Sequence, residues 1–437
     1  MVTISTNRIL EDLIASGRDE QALAFHADVG AETPKVSLAI AEILEARGDD
    51  TALGRHLETA TRKFPADPGL AASMVRHNLR AGAFDRAARE AETFLRRSGS
   101  AALWPMRVEA LFRGGDPEGA AATLQAFMPR SPLNGRAWMV AARLLRDAPA
   151  DQGRHILSHL DEALGVLPLE YGRDHGEMLF ARALILEDLG DHVAAAESIR
   201  RANAVMRELA TEGAAEESRQ LEGIATRIDA DWIASRALEG GPAPVFLVGP
   251  PPVARDAQYR RLTSGGLPLA GSGRMTSYAI ARAAGPWFAP DHPERIAALT
   301  RGDLERIREG WLDILRRAGA GDAFVIPGTW HVRHVGLLAA IFPRARFLEV
   351  RRPRDEMIIE ILRAPLDPRD HPWATSLRDC RDTLEAWGRM SAHWSGVPGI
   401  AWQETPGSAG EGGTAPGWPW PAPSLAAREA YSEFLIA

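Results

Sequence analysis

Glycines recur about every 34 residues through the first half of the chain, and that period limits the fold more than any other feature of the sequence. Gly17, Gly48, Gly82, Gly115 and Gly190 are the anchors. Five residues after four of them stands an alanine (Ala22, Ala87, Ala120 or Ala195), with Leu53 in the remaining case. Seventeen residues after three of them stands Pro34, Pro65 or Pro132. Each position has a mechanical sense. The glycine permits a tight turn between two antiparallel helices, the small residue lets them approach, and the proline stops the second helix. Trp104 falls where a unit's first helix needs a bulky packing residue. Trp138, Ala163 and Pro168 carry the pattern across a short insertion, and Ala202 closes the last clear unit. A lone helix pair cannot bury its apolar face, so the spacing predicts a stack of them.

This segment resembles tetratricopeptide repeats, about six of them over residues 3 to 210. The resemblance implies partner binding along a concave surface lined by the first helix of each repeat. It puts Arg76, Arg80, Arg113 and Arg143 toward that groove. Two readings stay open for these arginines. They form a solvated helix face, or they clamp acidic side chains or a C-terminal carboxylate of a protein or peptide through charge-assisted hydrogen bonds.

From about residue 244 the pattern changes to apolar strands alternating with helices, which predicts an α/β layer with a mainly parallel sheet. Pro244 to Leu262 reads PVFLVGPPPVARDAQYRRL, a buried strand entering a helix through Gly249, Pro250, Pro251 and Pro252. Phosphate-cradling loops at such a junction point backbone N–H groups at the anion, aided by a basic side chain and the positive helix end. Proline has no N–H to give. The chain's only lysines are Lys35 and Lys63, so nothing beyond residue 63 supplies a phosphate-binding, Schiff-base or general-base lysine.

Three stretches in this half resemble bacterial proteins that join tetratricopeptide repeats to a sulfotransferase domain. Members carry Pro-x-Phe-x-Val-Gly-x-Pro-Arg-Ser-Gly-Thr-Thr, then Asp-Lys-x-Pro leading to Gly-Leu-Ile and Phe-Pro-x-Ala-Arg, then a strand ending Arg-Arg-Asp-Pro-x-Asp with a Ser four residues on. Here Pro244, Phe246, Val248, Gly249 and Pro251 keep the first frame, but Pro252, Val253, Ala254, Arg255 and Asp256 replace the anion loop. Pro327, Gly336, Leu337, Phe342, Pro343, Ala345 and Arg346 fit the second, with Phe324 and Val325 where Asp and Lys are expected. The third, Glu349 to Asp355, is a residue short, and Ile359 takes the place of the Ser; Trp387, Met390, His393, Trp394 and Pro398 fit a later helix.

The resemblance spans roughly residues 175 to 400 and keeps the framework while removing anion ligands. It implies 3'-phosphoadenosine 5'-phosphosulfate (PAPS) as cofactor and sulfuryl transfer to a hydroxyl or amine, a reaction that depends on positioning and on stabilising an anionic group. Losing three charged hydrogen bonds of about 1.5 to 3 kcal/mol each forfeits on the order of 5 kcal/mol, several thousandfold in affinity. Asp256 adds a carboxylate where the phosphosulfate would lie. If PAPS binding survives, the resemblance gives it to Gly249, Arg255, Arg351 and Arg352, with His331 or His334 as base. Otherwise His331, Arg333 and His334 read as a polar first turn of a helix, and Arg344, Arg346, Arg351, Arg352 and Arg354 as a partly paired basic strand end.

The sequence therefore predicts an α plus α/β protein: an N-terminal α-helical tetratricopeptide solenoid over residues 1–235, then a P-loop-type sulfotransferase-like domain over residues 236–437. Gln403 to Ser424, with five Gly and five Pro, reads as a mobile connection before a short helix from Leu425 to Ile436. The expected function is a cytoplasmic adaptor without cofactor, its sulfotransferase-like part inactive or impaired; the alternative is an active PAPS-dependent sulfotransferase acting on a protein or peptide. Lone Cys380 excludes an internal disulfide and any multi-cysteine metal site. Lys plus Arg against Asp plus Glu is 28 to 37 over residues 1–243 and 23 to 21 over the rest, too little positive charge in either half to argue for nucleic acid. No apolar run reaches the ~18 to 20 residues of a membrane span, and the early residues lack a secretory leader pattern.

Overall fold

The computed structural model describes residues 2–16, 18–30, 33–47, 49–146, 149–166, 172–210, 214–250, 261–262, 265–266, 280, 291–317, 321–328, 331–406 and 425–432. They form two compact units, Met1–Val166 and Leu167–Ala437.

The first unit is helical. Its pairs are α1 (Val2–Ala15) with α2 (Asp19–Val29), α3 (Pro34–Ala46) with α4 (Asp50–Lys63), α5 (Pro68–Arg80) with α6 (Phe84–Ser98), and α7 (Leu103–Arg113) with α8 (Pro117–Phe127). α9 (Gly135–Leu144) packs on α7 and α8, and α10 (Ala150–Val166) follows. The odd-numbered helices α1 to α9 also touch one another in series, so they share one face of the stack. The turns work as the spacing predicts. Gly82 and Gly115 have φ of +72° and +86°, and a Cβ on either would meet nothing within 4 Å, so their requirement is conformational rather than steric. Gly17 and Gly48 lie outside the described residues. Ala22, Leu53, Ala87 and Ala120 are buried at the helix contacts. Trp104 stacks on Phe127 with ring centroids 5.4 Å apart, and Trp138 Nε1 donates to the Pro132 carbonyl at 2.7 Å.

The start signals are side-chain caps. Asp49, Asp67, Asp116 and Asn134 each accept from the backbone N–H three residues on, at 2.8 to 3.0 Å, supplying a partner to an otherwise orphaned donor. Pro34 differs from expectation. It is the first residue of α3 rather than the stop of α2, because a proline at that position has the right φ and loses no helical hydrogen bond.

The second unit holds a four-stranded, all-parallel sheet in the order β2-β1-β3-β4: β1 (Val245–Val248), β2 (Val325–Pro327), β3 (Arg346–Arg351) and β4 (Ala401–Pro406). Val245 is opposite both Val325 and Arg346, and Arg346 is opposite Ala401. Every residue of β1 is buried, as a central parallel strand covered on both faces requires. Phe246 lies 5.8 Å from Trp311 and 5.4 Å from Phe347, ring centre to ring centre, at the heart of the core. Trp311 comes from α16 (Arg301–Arg317), which follows α15 (His292–Ala298); α17 (His331–Ile341) after β2 is buried along its whole length. Gly336 lets it in: a Cβ there would meet Ile228 Cγ2 at 2.4 Å and the Trp394 ring at 2.9 Å. α14 (Ala230–Arg236) precedes β1, and α18 (Arg354–Arg363), α19 (Leu377–Gly396) and α20 (Leu425–Tyr431) follow α17.

Two boundaries move. The expected domain junction at 235/236 follows the change of periodicity, whereas the compact units divide at Val166/Leu167. The helix pair α11 (Gly172–Asp188) and α12 (His192–Arg207), together with α13 (Ala214–Arg227), belongs with the sheet. Its ties are specific. Arg363 reaches both Glu187 oxygens at 2.7 Å, Asn203 donates to the Leu362 carbonyl at 2.7 Å, and Arg173 pairs with Asp367 at 3.0 Å. Gln403 to Pro406, expected as part of a mobile connection, are instead strand residues, since in-register pairing with β3 satisfies their backbone. Residues 407–424 lie outside the described residues. Cys380 is fully buried, its Sγ 3.5 Å from the Trp373 carbonyl, and burial, helped by Asp379, pushes the thiol pKa well up. Among the described residues no helix is long and apolar enough to cross a membrane.

Candidate functional site

Two groups of arginines deserve comparison because each was expected to meet an anion. The first lies on the shared face of the helical unit. Arg113, in the last turn of α7, approaches Glu109 at 3.4 Å and lies 4.6 Å from the centre of the Phe84 ring. Arg136, at the start of α9, approaches the other Glu109 oxygen at 3.7 Å. Arg143 stands seven residues further along α9, on the same helix face. It is half-buried. Burial pulls its pKa down from the ordinary value; Glu109 opposes this, and Arg113 and Arg136 reinforce it. Three guanidinium groups thus surround a single carboxylate, and among the described residues Arg143 makes no direct ion pair or hydrogen bond.

Of the four expected groove arginines, the structure brings Arg113 and Arg143 together. Arg80 is committed to Glu45 of α3, and Arg76, on the same helix as Arg80, is exposed and also has a partner. Arg136 was missed, although its seven-residue spacing from Arg143 carried the signal.

The second group lies at the carboxyl ends of the strands, where open α/β sheets bind their ligands. Gly249 follows β1 with φ of +153°, and a Cβ there would come 3.3 Å from the Val350 carbonyl oxygen, so the tight approach of β1 to β3 favours glycine. Arg255, Asp256 and the rest of residues 251–260 lie outside the described residues. Arg351 is held between Glu349 at 2.9 Å and Glu404 at 3.1 Å. Arg352 is held between Glu356 at 2.9 Å and Glu360 at 2.5 Å, with its side chain only 4% exposed. Burial alone would lower the Arg352 pKa, but Glu360 and Glu356 outweigh it and raise it. Each arginine faces two carboxylates; Arg352 is closed off between its pair, while Arg351 stays 47% exposed. Glu356 and Glu360 follow Arg352 at four-residue steps and were legible in sequence. Glu404 was not, since it reaches Arg351 only through the β3–β4 pairing. Arg344 donates to the Gly241 carbonyl and Arg354 to that of Arg381.

His331, Arg333 and His334 form the first turn of α17, as one of the two readings expected, and they are buried there, at 1%, 2% and 1% exposed. His331 Nδ1 lies 3.1 Å from the Leu247 carbonyl, an acceptor only, so this nitrogen carries the proton. Gly328 makes room for the ring, as a Cβ there would sit 2.4 Å from His331 Nε2. His334 Nε2 is 3.2 Å from His292 Nε2. Burial, assisted by Arg295 and opposed by Asp291, draws the His292 pKa down to about 4. Arg333 pairs with Glu217 and Gln220, while Trp387 Nε1 donates to Glu217 at 3.2 Å. Burial lowers the Arg333 pKa to about 9 against the pull of Glu216. These side chains knit α13, α17 and α19 together. Among the described residues no group of three or more His, Cys, Asp or Glu could hold a metal ion.

No protein-family model matches the sequence, and none of the curated proteins matches it. Among solved structures the chain is similar to the tetratricopeptide-repeat domain of P58(IPK), at 14% identity and a TM-score of 0.23, covering 89% of this chain and 98% of that one. An overlap that loose carries no argument about either unit; the helix pairs and the parallel sheet stand on the contacts above.

Proposed function

We propose that this chain is an interaction adaptor. Its helical array seats an acidic side chain or C-terminal carboxylate of a protein partner, and its α/β unit is a sulfotransferase-like domain that turns PAPS over poorly or not at all. The observation that carries the first part is Arg143, a half-buried guanidinium beside Arg113 and Arg136, with Glu109 the one carboxylate that the three share among the described residues. A second carboxylate arriving from a partner would complete this set with charge-assisted hydrogen bonds. The second part is supported by the buried ion pairs of Arg352, which a 3'-phosphate would have to break, and by the two carboxylates that would compete with it for Arg351.

Fluorescence anisotropy with a labelled peptide ending in Glu-Asp, compared with its C-terminally amidated Gln-Asn counterpart, tests the groove. The acidic peptide binds the wild type, and Arg143→Met weakens it about 10- to 100-fold, as loss of a charged hydrogen bond predicts. Equal binding of both peptides, or an unchanged affinity in the variant, overturns the groove assignment. Isothermal titration with 3'-phosphoadenosine 5'-phosphate tests the other half. No binding is expected at micromolar ligand, and a tight site would restore the active sulfotransferase.

A further inference from the structure

Two histidines, His155 and His159, stand four residues apart on α10, where one helical turn sets them on the same side of the helix. Their rings lie 4.6 Å apart, centre to centre, and nearly perpendicular, at 83°. Both side chains are exposed. The helix is anchored through other residues, Gly153, Leu160 and Ala163 being the buried ones, so either ring can turn without disturbing the packing beneath. Neither histidine belongs to the arginine groups described above.

That separation has a chemical meaning. Imidazole nitrogen binds late divalent transition metals at about 2.0 to 2.1 Å, so two imidazoles set at a right angle on one ion have ring centres ~4.5 Å apart. The two rings already stand at that distance, and rotation of exposed side chains is all that ligation asks of them. The second bond also comes cheaply. Once one histidine has taken the ion, the helix holds the other beside it, so the pair binds far better than either ring alone.

The neighbouring charges point the same way. Glu162 Oε2 lies 3.6 Å from His159 Nδ1. A carboxylate beside one ring nitrogen draws the proton to that side and leaves Nε2 bare, which is the form a metal requires, and such a carboxylate is the usual outer partner of a ligating histidine. Asp151 stands one turn before His155 on the same exposed face. Arg154 sits about 100° round the helix from His155. Among the described residues no third His, Cys, Asp or Glu completes a ligand set, so the two carboxylates lend negative charge and water fills the remaining coordination positions.

We propose that His155 and His159 form a two-imidazole site on α10 for a late divalent transition-metal ion, Cu²⁺ binding more tightly than Ni²⁺ or Zn²⁺ as nitrogen donors order them. The bound ion staples one turn of the helix, because only the helical conformation presents both ligands. Titration of the full chain with Cu²⁺, followed by calorimetry and electron paramagnetic resonance, should show a saturable site whose spectrum carries two imidazole nitrogens. His155→Gln and His159→Gln should each weaken that site at least about tenfold. Glu162→Gln should weaken it about threefold. Glutamine is a good helix former at these exposed positions, and circular dichroism should be unchanged. In the wild type alone, Cu²⁺ should slow hydrogen exchange of the α10 amides. An affinity that either histidine substitution leaves unchanged overturns the proposal. So does α10 exchange in the wild type that Cu²⁺ does not slow, a readout that needs no variant.

Discussion

Arg143 in the helical unit and Arg333 in the sheet unit are both arginines drawn out of water, and they differ in what waits for them. Arg333 finds Glu217 and Gln220, and Glu217 is further held by Trp387, so every strong bond it could make is made inside the unit. Among the described residues Arg143 finds only a carboxylate that two other arginines already contact. A satisfied buried charge joins elements and is costly to remove; a half-buried one without a direct partner keeps its hydrogen-bonding capacity unspent. The same contrast separates Arg352, closed between two glutamates, from the arginines of α7 and α9.

The largest effect expected is from Arg333→Met, which leaves Glu217 buried without its cation and should cost the second unit about 3 to 5 kcal/mol in urea unfolding. A loss under about 1 kcal/mol would break the comparison. Acid should act on the same unit through His292. Its folded pKa, about 4, lies below the ordinary value of 6.5, so the unfolded chain takes up the proton first. Stability is full above pH ~6.5 and falls as pH drops toward 4, by about 2 kcal/mol between pH 7 and 5. His292→Gln should flatten that dependence, and a slope unchanged in the variant would move its origin elsewhere. In the helical unit, Asp116→Ala removes the cap of α8 and should cost about 1 kcal/mol. Arg143→Met should change stability by less than about 0.5 kcal/mol. An exposed cap would then outweigh a half-buried arginine, and the reverse order in thermal melts would assign Arg143 a structural role.

The repeat architecture was legible because its constraints are local: a glycine with positive φ at 82, 115 and 190, and small residues where helices touch. The parallel sheet was legible in the unbroken apolar run of β1. What escaped the sequence depends on long-range pairing. Gln403 to Pro406 look like linker until β3 lies beside them, and His331, Arg333 and His334 look like a polar turn until Leu247, Glu217 and His292 arrive from elsewhere. For the arginines expected to line a groove, spacing did not show which of them already have partners. Spacing on a helix fixes which residues share a face, but Glu45 claims Arg80 from another helix, and that removes it from the open set.

The sealed thiol of Cys380 has a practical reach. With its side chain buried and the proton held on by that burial, Cys380 should react only slowly with maleimides. A cysteine introduced at any exposed position would be the single reactive handle, so dyes or spin labels can be attached to either unit without first engineering a background free of sulfhydryls.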